Sequence, residues 1–343
     1  MSLAAPSVRR LSGVAPGAIP FDELIEDQQP VILEGLARDW PLVARGREGA
    51  AAVAEYLKRF AGERPVTVFI GPPEIAGWFH YNADLTGMNF TAERMPLHAF
   101  LDKVLAHLDD PAPPSLYAGS TDLDTYLPGL REENDLALDH PAFSLQPPLA
   151  SIWLGNRTVA AAHYDKSNNL ACCMVGRRRF TLFPPEQVEN LYPGPLEPTP
   201  GGQVVTMVDL REPDFARYPR LREAIAAAQV AEMEPGDVLF YPALWWHEVE
   251  ALDAFNAMIN YWWNPVPAWI DTPQTALLQG LLGLRDRPES EKRAWRALFD
   301  YYVFGPSDRA AAHLPAHARG HLAPMDEPNA RRLRAQLLNR LNR

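Results

Sequence analysis

Residues 162–183 read AHYDKSNNLACCMVGRRRFTLF, opening on Ala162-His163-Tyr164-Asp165. Two runs of strand-forming residues, Leu170–Val175 and Arg178–Phe183, flank Met174-Val175-Gly176-Arg177, which has the make-up of a hairpin tip. Side chains two apart on a strand share a face. By that parity His163 and Asp165 present an imidazole and a carboxylate to one side. Arg178, Phe180 and Leu182 share one face of their strand, and Arg177, Arg179 and Thr181 take the other.

Working outward, the strand period runs from Leu149 to Asn264. Ser151–Leu154, Asp237–Tyr241, Trp246–Ala251 and Ala257–Trp263 join the first two strands, Glu234-Pro235-Gly236-Asp237 makes a tight turn, and Leu221–Val230 reads as a short helix. Upstream, Pro30-Val31-Ile32-Leu33 and Pro65–Ile70 read as strands and a further strand starts near Leu116. Ala50–Phe60 and Pro96–Leu108 read as helices. In the latter, Leu97, Phe100, Leu101, Val104, Leu105 and Leu108 recur at helical spacing. After Pro267 the chain turns helical, over Thr272–Leu284, Glu289–Tyr302 and Asn329–Asn342. The expected layout is a mobile lead-in at 1–18, a mainly β domain with α additions at 19–266, and a helical region at 267–343.

Composition agrees with this layout. Among 343 residues, 47% are hydrophobic and 22% charged, as in a globular protein, and 34 are proline, about twice ordinary usage. Proline is excluded from helix interiors and central ladders, so many turns and loops are expected. The net charge of -11 lacks the basic footprint that nucleic acid requires. No apolar run reaches the length of a membrane span, and no signal follows Arg9-Arg10. The two cysteines, Cys172 and Cys173, are adjacent, so a disulfide between them is strained and both read as free thiols. A cytoplasmic setting is expected.

A third ligand can join His163 and Asp165: His247, at the start of the strand Trp246–Ala251. Two histidines and one carboxylate on one face of an octahedron leave positions open for reaction, the pattern of non-haem iron oxygenases. A second His-x-Asp, His107-Leu108-Asp109, falls at a helix end, where residues two apart point away from each other. His313, His317 and His321 recur every four residues, but Pro315 and Gly320 interrupt any helix, and the segment reads as solvated. Gly201-Gly202 is a turn, not a phosphate loop, and no nucleophilic triad accompanies Ser151 or Ser167.

Several phrases share an order and spacing: His163-Tyr164-Asp165, Asn169, Leu182-Phe183-Pro184-Pro185, Leu191-Tyr192-Pro193, Pro235-Gly236-Asp237-Val238-Leu239, Tyr241-Pro242, Trp245-Trp246-His247 and Asn260-Tyr261-Trp262. Pro30 to Gly35 and Asp39-Trp40-Pro41 precede them. Together these resemble the JmjC-like, cupin-8 branch of the cupin superfamily, the group that includes the asparaginyl hydroxylase of hypoxia-inducible factor. The resemblance covers roughly residues 20 to 265. It implies a double-stranded β-helix, or jelly roll. It also implies iron(II) held by His163, Asp165 and His247, and 2-oxoglutarate as cosubstrate.

By the same resemblance Arg178 stands where the family usually has a lysine that meets the far carboxylate of 2-oxoglutarate. Arginine suits that role because it can hold a carboxylate through two parallel hydrogen bonds. Tyr117, Asn169 and Asn260 match supporting positions. Ala160 replaces the threonine the family often uses. The implied activity is hydroxylation of a protein, peptide or small-molecule substrate. Alternatives are a metal-dependent cupin enzyme that does not use 2-oxoglutarate, which Ala160 motivates, and a non-catalytic peptide-binding module. Trp245, Trp246, Trp262 and Trp263 surround the third ligand either as a substrate wall or as alternating core rings. C-terminal helices mediate dimerisation in the resembled family, which implies a homodimer. On the last helix Arg331, Arg332 and Arg334 read as the solvated face, with Leu333, Leu337, Leu338 and Leu341 packing opposite.

Overall fold

Alternating apolar and polar side chains set the strands of this protein, and proline and glycine end them. Residues 5–342 are described by a computed structural model. The chain divides into two units, Met1–Asn264 and Pro265–Arg343.

The first unit begins with β1 (Arg9–Leu11), α1 (Phe21–Asp27), β2 (Val31–Leu33), α2 (Pro41–Glu48), α3 (Ala50–Lys58), β3 (Val66–Gly71), β4 (Trp78–Phe79), β5 (Thr91–Met95) and α4 (Leu97–Ala106). It continues through β6 (Ser115–Asp122), α5 (Leu123–Tyr126), β7 (Leu149–Gly155), β8 (Val159–Tyr164), β9 (Asn168–Val175) and β10 (Arg178–Phe183). The unit closes with α6 (Leu221–Ala226), β11 (Gln229–Met233), β12 (Val238–Tyr241), β13 (Trp246–Ala251) and β14 (Asn256–Trp263).

Two sheets form. The larger runs β1-β2-β12-β9-β14-β7-β6-β3-β5 and the smaller β11-β10-β13-β8-β4. This is the expected jelly roll with helical additions. Leu239 and Tyr241 of β12, Met258 of β14 and Ala171 and Cys173 of β9 meet Phe180 and Leu182 of β10 and Ala231 and Met233 of β11, which fills the space between the sheets. On its other face the larger sheet turns Leu33, Leu170, Cys172, Phe240, Ile259 and Trp263 toward the helices, where Phe21, Leu42, Leu57 and Phe100 pack. Every residue of β9 is buried, because both faces of that central strand are covered.

Three expectations change. Within the lead-in thought mobile, Arg9–Leu11 pairs in parallel with β2, and Val8 is buried between the sheets. Burying a valine stabilises by roughly 1.5 kcal/mol or more. Arg10 also donates to the buried Asp237 carboxylate at 2.8 Å, while the Gly35 N–H donates to the same side chain at 2.9 Å. Residues 1–4 of that lead-in lie outside the described residues. Second, the helix expected over Leu221–Val230 stops at Ala226, and Gln229–Met233 becomes β11. Ladder bonds to β10, with Phe180 opposite Ala231, override the weak helical preference there. Third, α1 and α2 fall in stretches the pattern left unassigned. Pro41 opens α2 at a position where its missing N–H costs nothing.

The second unit contains α7 (Pro273–Gly283), α8 (Glu289–Tyr302) and α9 (Glu327–Leu341). Thr272 and Asp326 cap α7 and α9 by accepting backbone N–H bonds from Gln274 and Asn329. Leu337, Leu338 and Leu341 do not pack as expected; each is about half exposed within the chain. His313, His317 and His321 are exposed and gather no metal-holding group. No helix among the described residues is long and apolar enough to cross a membrane.

Candidate metal centre

β8 and β13 lie side by side and antiparallel in the smaller sheet, in a register that sets His163 opposite His247. The two rings are 4.3 Å apart between centroids. Each ring is held by the backbone two residues before it: His163 Nδ1 lies 2.8 Å from the Ala161 carbonyl, and His247 Nδ1 2.9 Å from that of Trp245. A carbonyl only accepts, so each Nδ1 carries a proton, and Nε2 is the ring nitrogen left to meet a metal. Burial, and then the neighbouring His163, push the His247 pKa down to about 4. That ring is therefore neutral near pH 7, the form that binds a metal.

Asp165 follows directly on β8, and its Oδ2 lies 3.7 Å from His247 Nε2. One ligand atom from each of His163, Asp165 and His247 lies within 4.8 Å of the others, and no other such group occurs among the described residues. The Trp262 indole N–H donates to Asp165 Oδ2 at 3.2 Å. Leu244, in the turn before His247, has a φ of 68°, rare for a non-glycine residue, and its N–H donates to the Asp165 carbonyl at 2.8 Å. The segments that carry the candidate ligands are thereby tied together.

A cavity of about 280 Å³ opens onto these atoms. Its wall includes Tyr117, Ala160, Phe180, Tyr241 and Asn260. Arg178 is 2% exposed, buried rather than solvated. Its Nε has no hydrogen-bond partner, and no carboxylate pairs with it among the described residues. Burial pulls its pKa below the ordinary value, and Tyr117 and Cys173 beside it oppose that. A buried guanidinium without a counter-charge is costly; Phe180, two residues further along β10, lines the cavity, and Arg178 does not. Enclosure raises the Tyr117 hydroxyl pKa well above its ordinary value, with Arg178 opposing and Asp165 adding to the shift. Tyr117 lines the same cavity as the three candidate ligands.

Asn260 Oδ1 accepts from Trp153 Nε1 at 2.6 Å, and its amide donates to Asn169 Oδ1 at 3.3 Å. Asn169 is fully buried and stands behind Asn260 rather than in the cavity wall. Of the four tryptophans, Trp245, Trp246 and Trp263 join three different core clusters, and Trp262 alone lines the cavity. Phe69, Phe79 and Phe90, which complete the wall, come from the N-terminal elements and carried no signal in the sequence. Ser151 faces no nucleophilic partner, its Oγ buried without a hydrogen bond.

A cupin-like domain model matches residues 17–268. The chain belongs to the cupin-like family. Within this cupin-like protein the match spans β2 to β14 and so contains the whole cavity. It is also 27% identical to lysine-specific demethylase 8 of Xenopus tropicalis over 250 residues, 71% of this chain and 50% of that protein. It is 26% identical to Jumonji C domain-containing protein 5 of Drosophila melanogaster, over 70% of this chain and 55% of that protein. Human HSPB1-associated protein 1 is 32% identical over 43% of this chain and 30% of its own length. The chain spans about half or less of the length of most of these relatives. Their names place it with the JmjC-like cupins.

Proposed function

We propose that this protein is an iron(II)- and 2-oxoglutarate-dependent oxygenase that hydroxylates a protein, peptide or small-molecule substrate. The observations that support this are three candidate ligands that line one cavity, His163, Asp165 and His247, and a fully buried arginine on the neighbouring strand β10 that has no counter-charge among the described residues. Iron(II) with 2-oxoglutarate, when bound, supplies the oxidising chemistry the JmjC-like family uses on C–H bonds. His163, Asp165 and His247 bind the metal from one side and leave the cavity side open. Arg178 takes the far carboxylate of the cosubstrate, and Tyr117 orients it from beside the guanidinium. Asn260, fixed by Trp153 and Asn169, offers an amide to the same pocket. The aromatic wall keeps water from the site. Ala160 favours one alternative, a cupin enzyme that binds the metal but not 2-oxoglutarate, because it supplies no hydroxyl for the cosubstrate.

One experiment separates these readings. The protein, supplied with iron(II), oxygen and 2-oxoglutarate, is expected to release succinate, and Arg178→Met to abolish the release. Wild-type protein that neither binds nor turns over 2-oxoglutarate leaves the metal-only reading standing. We further infer a homodimer formed through α7, α8 and α9, and a cytoplasmic setting consistent with the two free, buried cysteines.

A further inference from the structure

The cavity wall is unusual in its charge. Among its lining side chains Asp165 is the only carboxylate, and none is a lysine or arginine. The chain carries 43 acidic residues against 32 basic ones, so this neutrality is local and not a reflection of the whole. In place of charge stands a continuous line of rings. Phe90 meets Phe69 at 5.0 Å and Phe79 at 5.1 Å between centroids, Phe79 meets Tyr117 at 5.8 Å, Tyr117 meets Trp153 at 5.8 Å, and Trp153 meets Trp262 at 5.7 Å. The line starts at Phe90, which also borders an open groove outside, and ends at Trp262, whose N–H reaches Asp165.

The charges at the centre also balance without a further partner. A divalent metal and Arg178 carry three positive charges between them; Asp165 and a dicarboxylate cosubstrate carry three negative ones. Asp165 is committed twice, to the metal position and to Trp262. A cationic side chain entering here leaves water and finds no free carboxylate, and a carboxylate finds no free cation.

Resting on the oxygenase reading above, we infer that the primary substrate presents an uncharged, largely apolar group to the metal, and that lysine and arginine side chains are excluded. The rings contact it through dispersion and shape, which tolerate aliphatic and aromatic groups alike. The opposing case is a methylated ammonium held against ring faces, and the choice of probes decides between the two.

The test uses the full chain loaded with manganese(II), with and without 2-oxoglutarate, and two probes of the same shape. One is the N-acetyl amide of trimethyllysine; the other is its isostere with carbon in place of the ammonium nitrogen. Quenching of tryptophan fluorescence reads binding. With 2-oxoglutarate present, the uncharged isostere is expected to bind at least tenfold tighter than the cation. Phe90→Asp, which adds the missing carboxylate at a half-buried position, is expected to narrow or reverse that ratio while its melting temperature shows it folded. Equal binding, tighter binding of the cation, or binding of neither probe at 10 mM, a concentration set at about the weakest measurable affinity, overturns the inference. Loss of the oxygenase reading is recognised separately, because 2-oxoglutarate then fails to bind the manganese(II) protein whichever probe is present.

Discussion

The ligand set is held by bonds that each do one job, which makes single substitutions informative. The Trp262 indole N–H is the side-chain donor on the Asp165 carboxylate, and its ring packs at right angles to Trp153. Partners of this kind orient a ligand, and their loss typically weakens metal binding about 10- to 100-fold. Trp262→Phe keeps most of the ring and removes the N–H. Manganese(II) titrations followed by electron paramagnetic resonance are expected to show a loss in that range. The cobalt(II) visible spectrum is expected to change as the carboxylate swings. An unchanged spectrum and affinity would mean that Asp165 needs no such support. At Arg178 the expectation concerns the cosubstrate instead. Arg178→Met should leave manganese(II) affinity near wild type and remove 2-oxoglutarate binding in calorimetry, while Arg178→Lys restores part of it, since a point charge replaces a bidentate fork.

Strand alternation explains why β13 carries both a ligand and a liability. His247 faces the interior, so its neighbour Glu248 faces the other side of the smaller sheet, opposite Thr181. Glu248 is 1% exposed and its Oε2 has no partner. Burial first, then Glu250 and Asp209, raise its pKa well above the ordinary 4.5, and Arg211 opposes only in part. The sign follows from linkage. A folded-state pKa above the unfolded one means that the folded state holds its proton more tightly, so the stability this group contributes is lost as pH rises from 4.5 through the folded value. Glu248→Gln keeps the shape and removes the titration. The variant is expected to melt higher than wild type at pH 8, and the difference to shrink as pH falls toward 4.5. Parallel melting curves across that range would show that Glu248 is ionised in the folded protein.

At the scale of the whole molecule, the unanswered surface is in the second unit. Leu282 is 75% exposed, Phe304 76% and Val303 60%, and Leu338 and Leu341 are more than half exposed. Soluble monomers rarely leave this much large apolar side chain in water unless it meets a partner. A second copy of the chain is the occupant proposed above. Sedimentation is expected to give a dimer, and Leu282→Glu combined with Phe304→Glu a monomer with an unchanged first-unit melting transition. A wild-type protein that sediments as a monomer at all concentrations would sink the dimer.

Much of the first unit was legible in the sequence because its signals are local. Alternation gave β9, β10, β13 and β14, spacing placed α4, and parity put Arg178 on the face of Phe180 and Leu182; each depends only on residues a few positions apart. His163, Asp165 and His247 were readable as candidate ligands from residue type and motif. Tertiary structure alone decided the rest, because it depends on contacts across long sequence separations. The β8–β13 register brings His163 beside His247, and β10 draws Gln229–Met233 out of a helix. Burial strips Arg178 of any counter-charge, and Phe69, Phe79 and Phe90 reach the cavity from elements with no motif of their own. A side chain's type is written in the chain, but its desolvation and its neighbours exist only once the sheets have closed.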